Sequence, residues 1–467
     1  MEYHNFLKNK TQLSGQFGFK PTFIPDRVFD FQKALIEWSV EKGRGAIFAD
    51  CGLGKTLIQL AWAENVIRKE NGPVLVITPL AVGHQTVTEG EKFGIEAIKS
   101  SNGKFPSGAK IIVTNYERLH YFDARHFVGV VCDESSILKN FDGATRAAIT
   151  EFMRTQKYRL LCTATAAPND YIELGTSSEA VGELGHIEML QRFFKANDDS
   201  YAQGGGASGR TRFSGPESFV GKFRFRGHAE RDFWRWICSW SRALRKPSDM
   251  GFNDGDFQLP PLETRQHVVK TETPPDEYLF TLPACGLAEQ RSERRRTLNE
   301  RCELTAEIHN TCGESSLAWC HLNSEGDLLA KLIPDSEQLS GDDSDERKEE
   351  VFAAFQAGKL RVLITKPTIA GFGLNFQHCA RQTFFPSHSF EQWYQAVRRS
   401  WRFGQKKKVV VDVISSDGEA SVLANLERKS EAASKMFDQI VSLMGQELNI
   451  KAINNHVKKQ KIPTWLS

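Results

Sequence analysis

The segment Ala49-Asp50-Cys51-Gly52-Leu53-Gly54-Lys55-Thr56 sets glycines, a lysine and a hydroxyl in the order that holds a phosphate chain. Gly52 and Gly54 let successive backbone N–H groups turn inward onto phosphate oxygens, Lys55 reaches the β and γ phosphates, and Thr56 can ligate Mg²⁺. The fit to GxxxxGK[ST] is incomplete, because Ala49 stands where the pattern has its first glycine. A second chemical element is Val130-Val131-Cys132-Asp133-Glu134, two carboxylates just past an apolar run. There Asp133 can hold Mg²⁺ through water and Glu134 can polarise an attacking water. An Asp-Glu pair alone also fits a helix cap; beside a phosphate loop it points to nucleoside-triphosphate binding.

These residues need a scaffold that presents them at strand ends. Short β-rich runs recur at Gly45 to Ala49, Val74 to Thr78, Ile111 to Thr114, Val128 to Cys132 and Arg159 to Thr163, each followed by a helical or turn pattern. A second series covers Leu317 to His321, Arg361 to Thr365, Gln382 to Phe385 and Val409 to Ile414. Both series predict open α/β lobes with parallel sheets, whose ligands sit at the carboxyl ends of the strands. Between them the texture changes: Gly204-Gly205-Gly206 opens a stretch rich in Gly, Ser and Arg, and Leu259-Pro260-Pro261-Leu262 closes it as a stiff connector. The expected layout is an extension over 1–24, a first lobe over 25–195, a mainly helical basic and aromatic insertion with linker over 196–258, a second lobe over 259–418, and a terminal helix and tail over 419–467. The apolar spacing of Val422, Leu423, Leu426, Phe437, Ile440, Val441 and Met444 predicts that this helix packs on the second lobe.

The motifs together resemble those of superfamily 2 ATPases of the DEAD/DEAH-box type, over roughly residues 25 to 415. Phe31-Gln32 stands where that family has its adenine-reading glutamine, and Asp50 to Thr56 resembles its first motif. Thr78-Pro79-Leu80 resembles the next, Asp133-Glu134-Ser135-Ser136 the acidic box, and Thr163-Ala164-Thr165 the motif that couples hydrolysis to the nucleic-acid site. In the second lobe Gly371-Phe372-Gly373-Leu374-Asn375 resembles the fifth motif, and Gln395 to Gln405 the sixth. The resemblance implies two tandem RecA-like lobes of the P-loop NTPase class, with ATP and Mg²⁺ as cofactors. It also implies that Gln395, Arg399 and Arg402 act on the γ-phosphate, the two arginines sharing one helix turn, with Gly373 near the nucleotide. Lys139-Asn140, Arg402-Phe403-Gly404-Gln405 and Leu259-Pro260-Pro261 resemble the Swi/Snf-like branch, which moves along duplex DNA. Ser135-Ser136, the run from Ala167 to Asp170, and Leu244 to Asp249 resemble helicases of bacteriophages and prophages, which implies a bacterial or phage-infected cytoplasm. Ser136 replaces the usual histidine and Ala166 a proline, so the coupling of hydrolysis to movement is where this chain departs from the pattern.

The chain's balance of 60 basic and 58 acidic residues hides a local excess. Residues 205–250 hold ten Lys or Arg, among them Arg224, Arg226, Arg245 and Lys246, against four acids. Phe213, Phe219, Phe223, Phe225, Phe233, Trp234, Trp236 and Trp240 are interleaved with them. Basic groups can neutralise phosphates and exposed rings can stack on bases. The helical spacing of Phe233, Trp236, Ile237 and Trp240 predicts instead that most of the rings form a small core. Arg291, Arg294, Arg295, Arg296 and Arg301 form a second basic run, a nucleic-acid track or a solvated helix face; Arg398 and Lys406 to Lys408 fit a solvated basic surface. By the resemblance, backbone contacts to a strand are expected near Pro79, Thr114, Lys366 and Thr368.

At 467 residues with 40% hydrophobic and 25% charged content, the chain has ordinary globular composition, which excludes a peptide-sized binder and wholesale disorder. No apolar run reaches a membrane span, and the nine cysteines lack a CxxC pair, so a cytoplasmic location without a membrane partner is expected. His309, Cys312, Cys320 and His321 are the nearest approach to a metal cluster, in no zinc spacing. The leading expectation is a monomeric, DNA-stimulated ATPase that translocates on duplex DNA through its phosphates, with an unidentified targeting protein possible. The alternatives are a strand-separating DNA or RNA helicase, and a non-catalytic clamp gated by ATP.

Overall fold

The computed structural model describes residues 17–139, 143–196, 223–269, 287–371 and 374–457. The chain divides into two compact units, one comprising Met1–Thr78, Thr86–Asp254 and Ala433–Ser467, the other Pro79–Gln85 and Gly255–Ala432.

The first unit is built on a seven-stranded parallel sheet of β1 (Arg44–Ala49), β2 (Val74–Thr78), β3 (Ala97–Lys99), β4 (Ile111–Asn115), β5 (Gly129–Asp133), β6 (Tyr158–Thr163) and β9 (Ser241–Leu244). Its order is β3-β4-β2-β5-β6-β1-β9. The central strands are buried on both faces, which is why they read as unbroken apolar runs such as Val74-Leu75-Val76-Ile77. Helix α1 (Asp30–Lys42) precedes β1, and helix α2 (Lys55–Glu70) follows it. A two-stranded antiparallel ribbon, β7 (Phe194–Ala196) with β8 (Phe223–Phe225), leads to helix α3 (Ala229–Trp240).

The second unit carries a six-stranded parallel sheet of β10 (Leu262–Val269), β11 (Ser316–Trp319), β12 (Ser336–Gln338), β13 (Val362–Thr365), β14 (Arg381–Phe384) and β15 (Val409–Ser416). Its order is β10-β15-β14-β11-β13-β12. Helices α4 (Leu287–Arg296) and α5 (Leu298–Cys312) precede β11, α6 (Phe390–Val397) follows β14, and α7 (Ala420–Val457) follows β15. Two parallel-sheet lobes were expected, and both are present.

Two expectations need correction. Residues 223–258 do not form a separate insertion: β9 pairs with β1 in the first sheet, and Phe233, Trp234, Ile237 and Trp240 are buried in the first unit's core. Thus the rings of α3 are core, as their spacing predicts, whereas Gly204 to Gly206, Arg210, Arg212, Phe213, Phe219 and Lys222 lie outside the described residues. The latter part of α7 does not pack on the second lobe. Met436, Phe437, Ile440 and Met444 recur at helical spacing and join the first unit's core, where the Cys238 thiol reaches the Ile440 carbonyl.

Candidate nucleotide site and nucleic-acid contacts

The phosphate loop connects β1 to α2. Asp50 is anchored by its N–H to the Leu244 carbonyl of β9 at 3.0 Å, and its carboxylate accepts the Cys51 N–H at 2.6 Å. Edge strand β9 therefore braces the start of the loop. Gly52 and Gly54 adopt φ of 89° and 80°, conformations that L side chains rarely enter. A Cβ on Gly54 would stand 2.3 Å from Gln32 Nε2. Helix α2 begins at Lys55 with no acidic residue in its first turn, so its free N–H groups and positive end are left for an anion. Lys55 Nζ donates to the Ala49 and Asp50 carbonyls at 2.9 and 3.3 Å, which keeps the ammonium on the loop; Thr56 follows in the first turn of the helix.

Gln32, expected to read a base, is tied to the loop. Its Nε2 donates to the Leu53 carbonyl at 3.1 Å and its Oε1 accepts the Phe29 N–H at 3.1 Å.

Asp133 ends β5 and Glu134 follows at φ 50°, a left-handed backbone for a non-glycine residue, of the kind that surrounding structure must impose. Both carboxylates are buried. The Asp133 carboxyl is pushed above its usual range, first by burial and then by the neighbouring Glu134 charge. Two residues that the motif reading missed hold Asp133 in place. Gln59 Nε2 donates to Asp133 Oδ1 at 2.6 Å, and the buried Tyr116 hydroxyl donates to the Asp133 carbonyl. The available signal for Gln59 was a lone amide in the apolar run Leu57 to Ala63.

Thr163, at the end of β6, donates to Glu134 Oε2 at 3.2 Å and accepts the Thr165 N–H at 3.1 Å. Residues of the acidic and third motifs are thus linked through a threonine hydroxyl in a chain that has Ser136 at the usual histidine position. Lys55, Thr56, Asp133 and Glu134 fit a metal-bound nucleotide in type and number. One protein carboxylate and a hydroxyl leave most of the coordination of a hard cation to phosphate oxygens and water, as Mg²⁺ prefers.

In the second unit, α6 ends at Val397, so Arg399 and Arg402 do not share a helix turn as expected. They converge by another route: Nη1 of each donates to the Leu374 carbonyl at 3.0 Å. Gln395 accepts from Arg399 at its side-chain and backbone oxygens, at 2.8 and 2.9 Å. Phe372 and Gly373 of the same motif cluster lie outside the described residues, as does Asn140. Arg398 is not solvated: it is 3% exposed, donates to the Trp401 carbonyl, and lies over the Tyr394 and Trp401 rings. Burial lowers its guanidinium to about 9. Lys406 to Lys408 are exposed.

The basic runs separate into interior and surface groups. Arg294 is buried, pairs with the buried Glu419 at 3.3 Å, and donates to the Pro386 carbonyl. It is a core residue, and the nucleic-acid role expected for it is corrected. Arg296 pairs with Glu293 at 2.7 Å, and Arg301 with Glu325 at 2.9 Å in a fully buried contact. Arg291 and Arg295 are exposed. In the first unit Arg245 pairs with Asp438 and Lys246 with Asp254, whereas Arg224 and Arg226 are exposed on or beside β8. Pro79 and Thr114 stand at the carboxyl ends of β2 and β4, where Thr78 Oγ1 donates to the buried Thr114's carbonyl. Lys366 and Thr368 follow β13; Lys366 donates to Asn323 Oδ1 and Thr368 is exposed. His309 is no metal ligand but a core imidazole, bonded to Ser316 Oγ at 2.7 Å and Thr383 Oγ1 at 2.9 Å.

Comparison with solved structures places this architecture. The chain is similar to S. cerevisiae Dbp5 bound to RNA and ADP BeF3, with a TM-score of 0.55 and 11% identity, over 89% of this chain and 94% of that one. The fold, two lobes each built on a parallel sheet, is shared with that structure. A point variant of Dbp5 with the same ligands matches at a TM-score of 0.54 and 13% identity, over 90% and 94% of the two chains. The Sulfolobus solfataricus SWI2/SNF2 ATPase core in complex with dsDNA matches more loosely, at a TM-score of 0.41 and 17% identity over 91% and 96%. No family model matches the sequence, and no curated protein matches it. Among the described residues no helix is long and apolar enough to cross a membrane.

Proposed function

We propose that this chain is an ATP-dependent nucleic-acid motor, a DNA-stimulated ATPase that translocates on duplex DNA. The observation that carries the reading is the convergence in the first unit of the Lys55 loop, the Asp133–Glu134 pair and the Thr163 hydroxyl bonded to Glu134. The loop N–H groups and Lys55 bind the phosphates. Thr56 and Asp133 would hold Mg²⁺, which would neutralise charge on the phosphate oxygens when bound. Glu134, aimed by Thr163, orients the attacking water and takes up its proton. Arg399 and Arg402, fixed by Leu374 and Gln395, offset charge on the transferred phosphoryl group, a role worth about 10³ to 10⁵ in rate in other enzymes. Thr165 relays the state of Glu134 to the track.

Nucleic acid is gripped through phosphates by residues near Pro79, Thr114, Lys366 and Thr368, and by the exposed Arg224, Arg226 and Arg295. Duplex DNA is proposed from the Swi/Snf-like motif details. The Dbp5 structures, bound to RNA, support the second reading, a strand-separating RNA or DNA helicase. The deciding experiment is ATP hydrolysis by the purified chain with duplex DNA, single-stranded DNA and RNA over a salt series, beside displacement of a third strand from a triplex. Duplex stimulation that falls steeply with salt, with triplex displacement, is the expected result. Stimulation by RNA alone moves the assignment to the second reading, and absence of hydrolysis with every polynucleotide removes the motor.

A further inference from the structure

Gln59 lies one turn beyond Lys55 on α2, in the run Leu57-Ile58-Gln59-Leu60-Ala61, and is 0% exposed. Interior amides are costly, by about 1–3 kcal/mol for each unsatisfied group, so an amide kept at such a position needs a partner. Its Nε2 donates to Asp133 Oδ1, the one side-chain hydrogen bond to the Asp133 carboxylate among the described residues. The Cys162 thiol, opposite Asp133 in the β5–β6 register, sits beside the same amide. Burial raises that thiol and keeps it protonated, and Gln59 Oε1 accepts no hydrogen bond among the described residues, so the amide's contacts are made from its NH₂ end. Tyr116 holds the other end of Asp133 by its carbonyl. The backbone and Oδ1 of Asp133 are therefore both held, and the Glu134 N–H donates to the same carboxylate.

We propose that Gln59 is a positioning residue which, by engaging Oδ1, fixes the orientation in which the Asp133 carboxylate would meet the hydrated Mg²⁺ of a bound nucleotide and so sets the Mg²⁺ requirement for nucleotide binding. The proposal rests on the nucleotide-site reading above. It requires no contact between Gln59 and nucleotide, so binding of metal-free nucleotide is left alone. Groups that orient metal ligands typically change metal affinity by about 10- to 100-fold when removed.

The test uses the full chain and ADP, with binding measured by calorimetry in EDTA and across a Mg²⁺ series. Gln59→Met keeps the volume and removes the donor; Gln59→Asn keeps the amide on a shorter stem and serves if the methionine variant does not fold. The expected result is a rise of about tenfold or more in half-saturating Mg²⁺, with ADP affinity in EDTA unchanged. Half-saturating Mg²⁺ equal to the parent's overturns the proposal. So does a matching loss of ADP affinity in EDTA, which marks general damage to the loop. If the parent chain binds ADP without any Mg²⁺ dependence, it is the nucleotide-site reading that has failed, and the two failures are told apart by the parent alone.

Discussion

Substituting Gly54 by alanine tests whether the phosphate loop depends on the packing of Gln32 against it. The backbone there has φ 80°, which costs an L residue about 1–2 kcal/mol. The new Cβ would also lie 2.3 Å from Gln32 Nε2, a separation that forces the amide to swing away from Leu53 and Phe29. Losing those two bonds costs about 1–2 kcal/mol more, so Gly54→Ala should destabilise the first unit by about 3 kcal/mol. Gln32→Ala alone loses the same bonds without the backbone strain and should cost about 1–2 kcal/mol. Since the bonds can be lost only once, the double variant should cost about 3 kcal/mol again, a coupling of about 1–2 kcal/mol. Urea unfolding followed by hydrogen exchange at α1 and α2 measures all three. Strictly additive losses, or a Gly54→Ala chain as stable as the parent, would refute the reasoning.

Glu134→Gln keeps an acceptor for Thr163 but cannot take a proton, so hydrolysis should fall by at least about 10²-fold while ADP binding by calorimetry stays near the parent's. Arg294→Ala leaves Glu419 buried without its ion-pair partner and should cost the second unit about 3–5 kcal/mol in urea unfolding. The exposed Arg295→Ala should leave stability alone and lower the salt slope of polynucleotide binding. Burial lowers the His309 imidazole to about 3, so it stays neutral in the fold while the unfolded chain takes a proton below about 6.5. Its contribution is complete above that pH and is lost as pH falls toward 3. Between pH 6.5 and 5 the loss is about 2 kcal/mol, and His309→Gln should flatten that part of the stability–pH curve.

The residue types of the candidate site were legible because phosphate chemistry restricts them to short, contiguous patterns. Glycines at 52 and 54, Lys55, and Asp133 after an apolar strand can be read without knowing what surrounds them. Strands such as Val74–Thr78 were legible for a related reason, since burial on both faces leaves an unbroken apolar run. Strand β9 was not, because Ser241-Arg242-Ala243-Leu244 has no such run and is a strand through its pairing with β1. Charged β10, Leu262-Glu263-Thr264-Arg265-Gln266-His267, has no apolar run either, and is held as an edge by β15.

By itself the sequence determined which groups are proposed to meet phosphate and metal, and that two α/β lobes carry them, since both follow from local spacing. Only the tertiary structure decided the partners of those groups. Gln59 and Asp133 are 74 positions apart, Thr163 and Glu134 29 apart, and Arg294 and Glu419 125 apart. A hydrogen bond needs a separation near 3 Å, which periodicity within one element cannot specify. The fate of the basic residues was decided in the same way. Arg294, Arg295 and Arg296 are consecutive and chemically alike; one is buried against Glu419, one faces solvent and one pairs with Glu293, because each points a different way around α4.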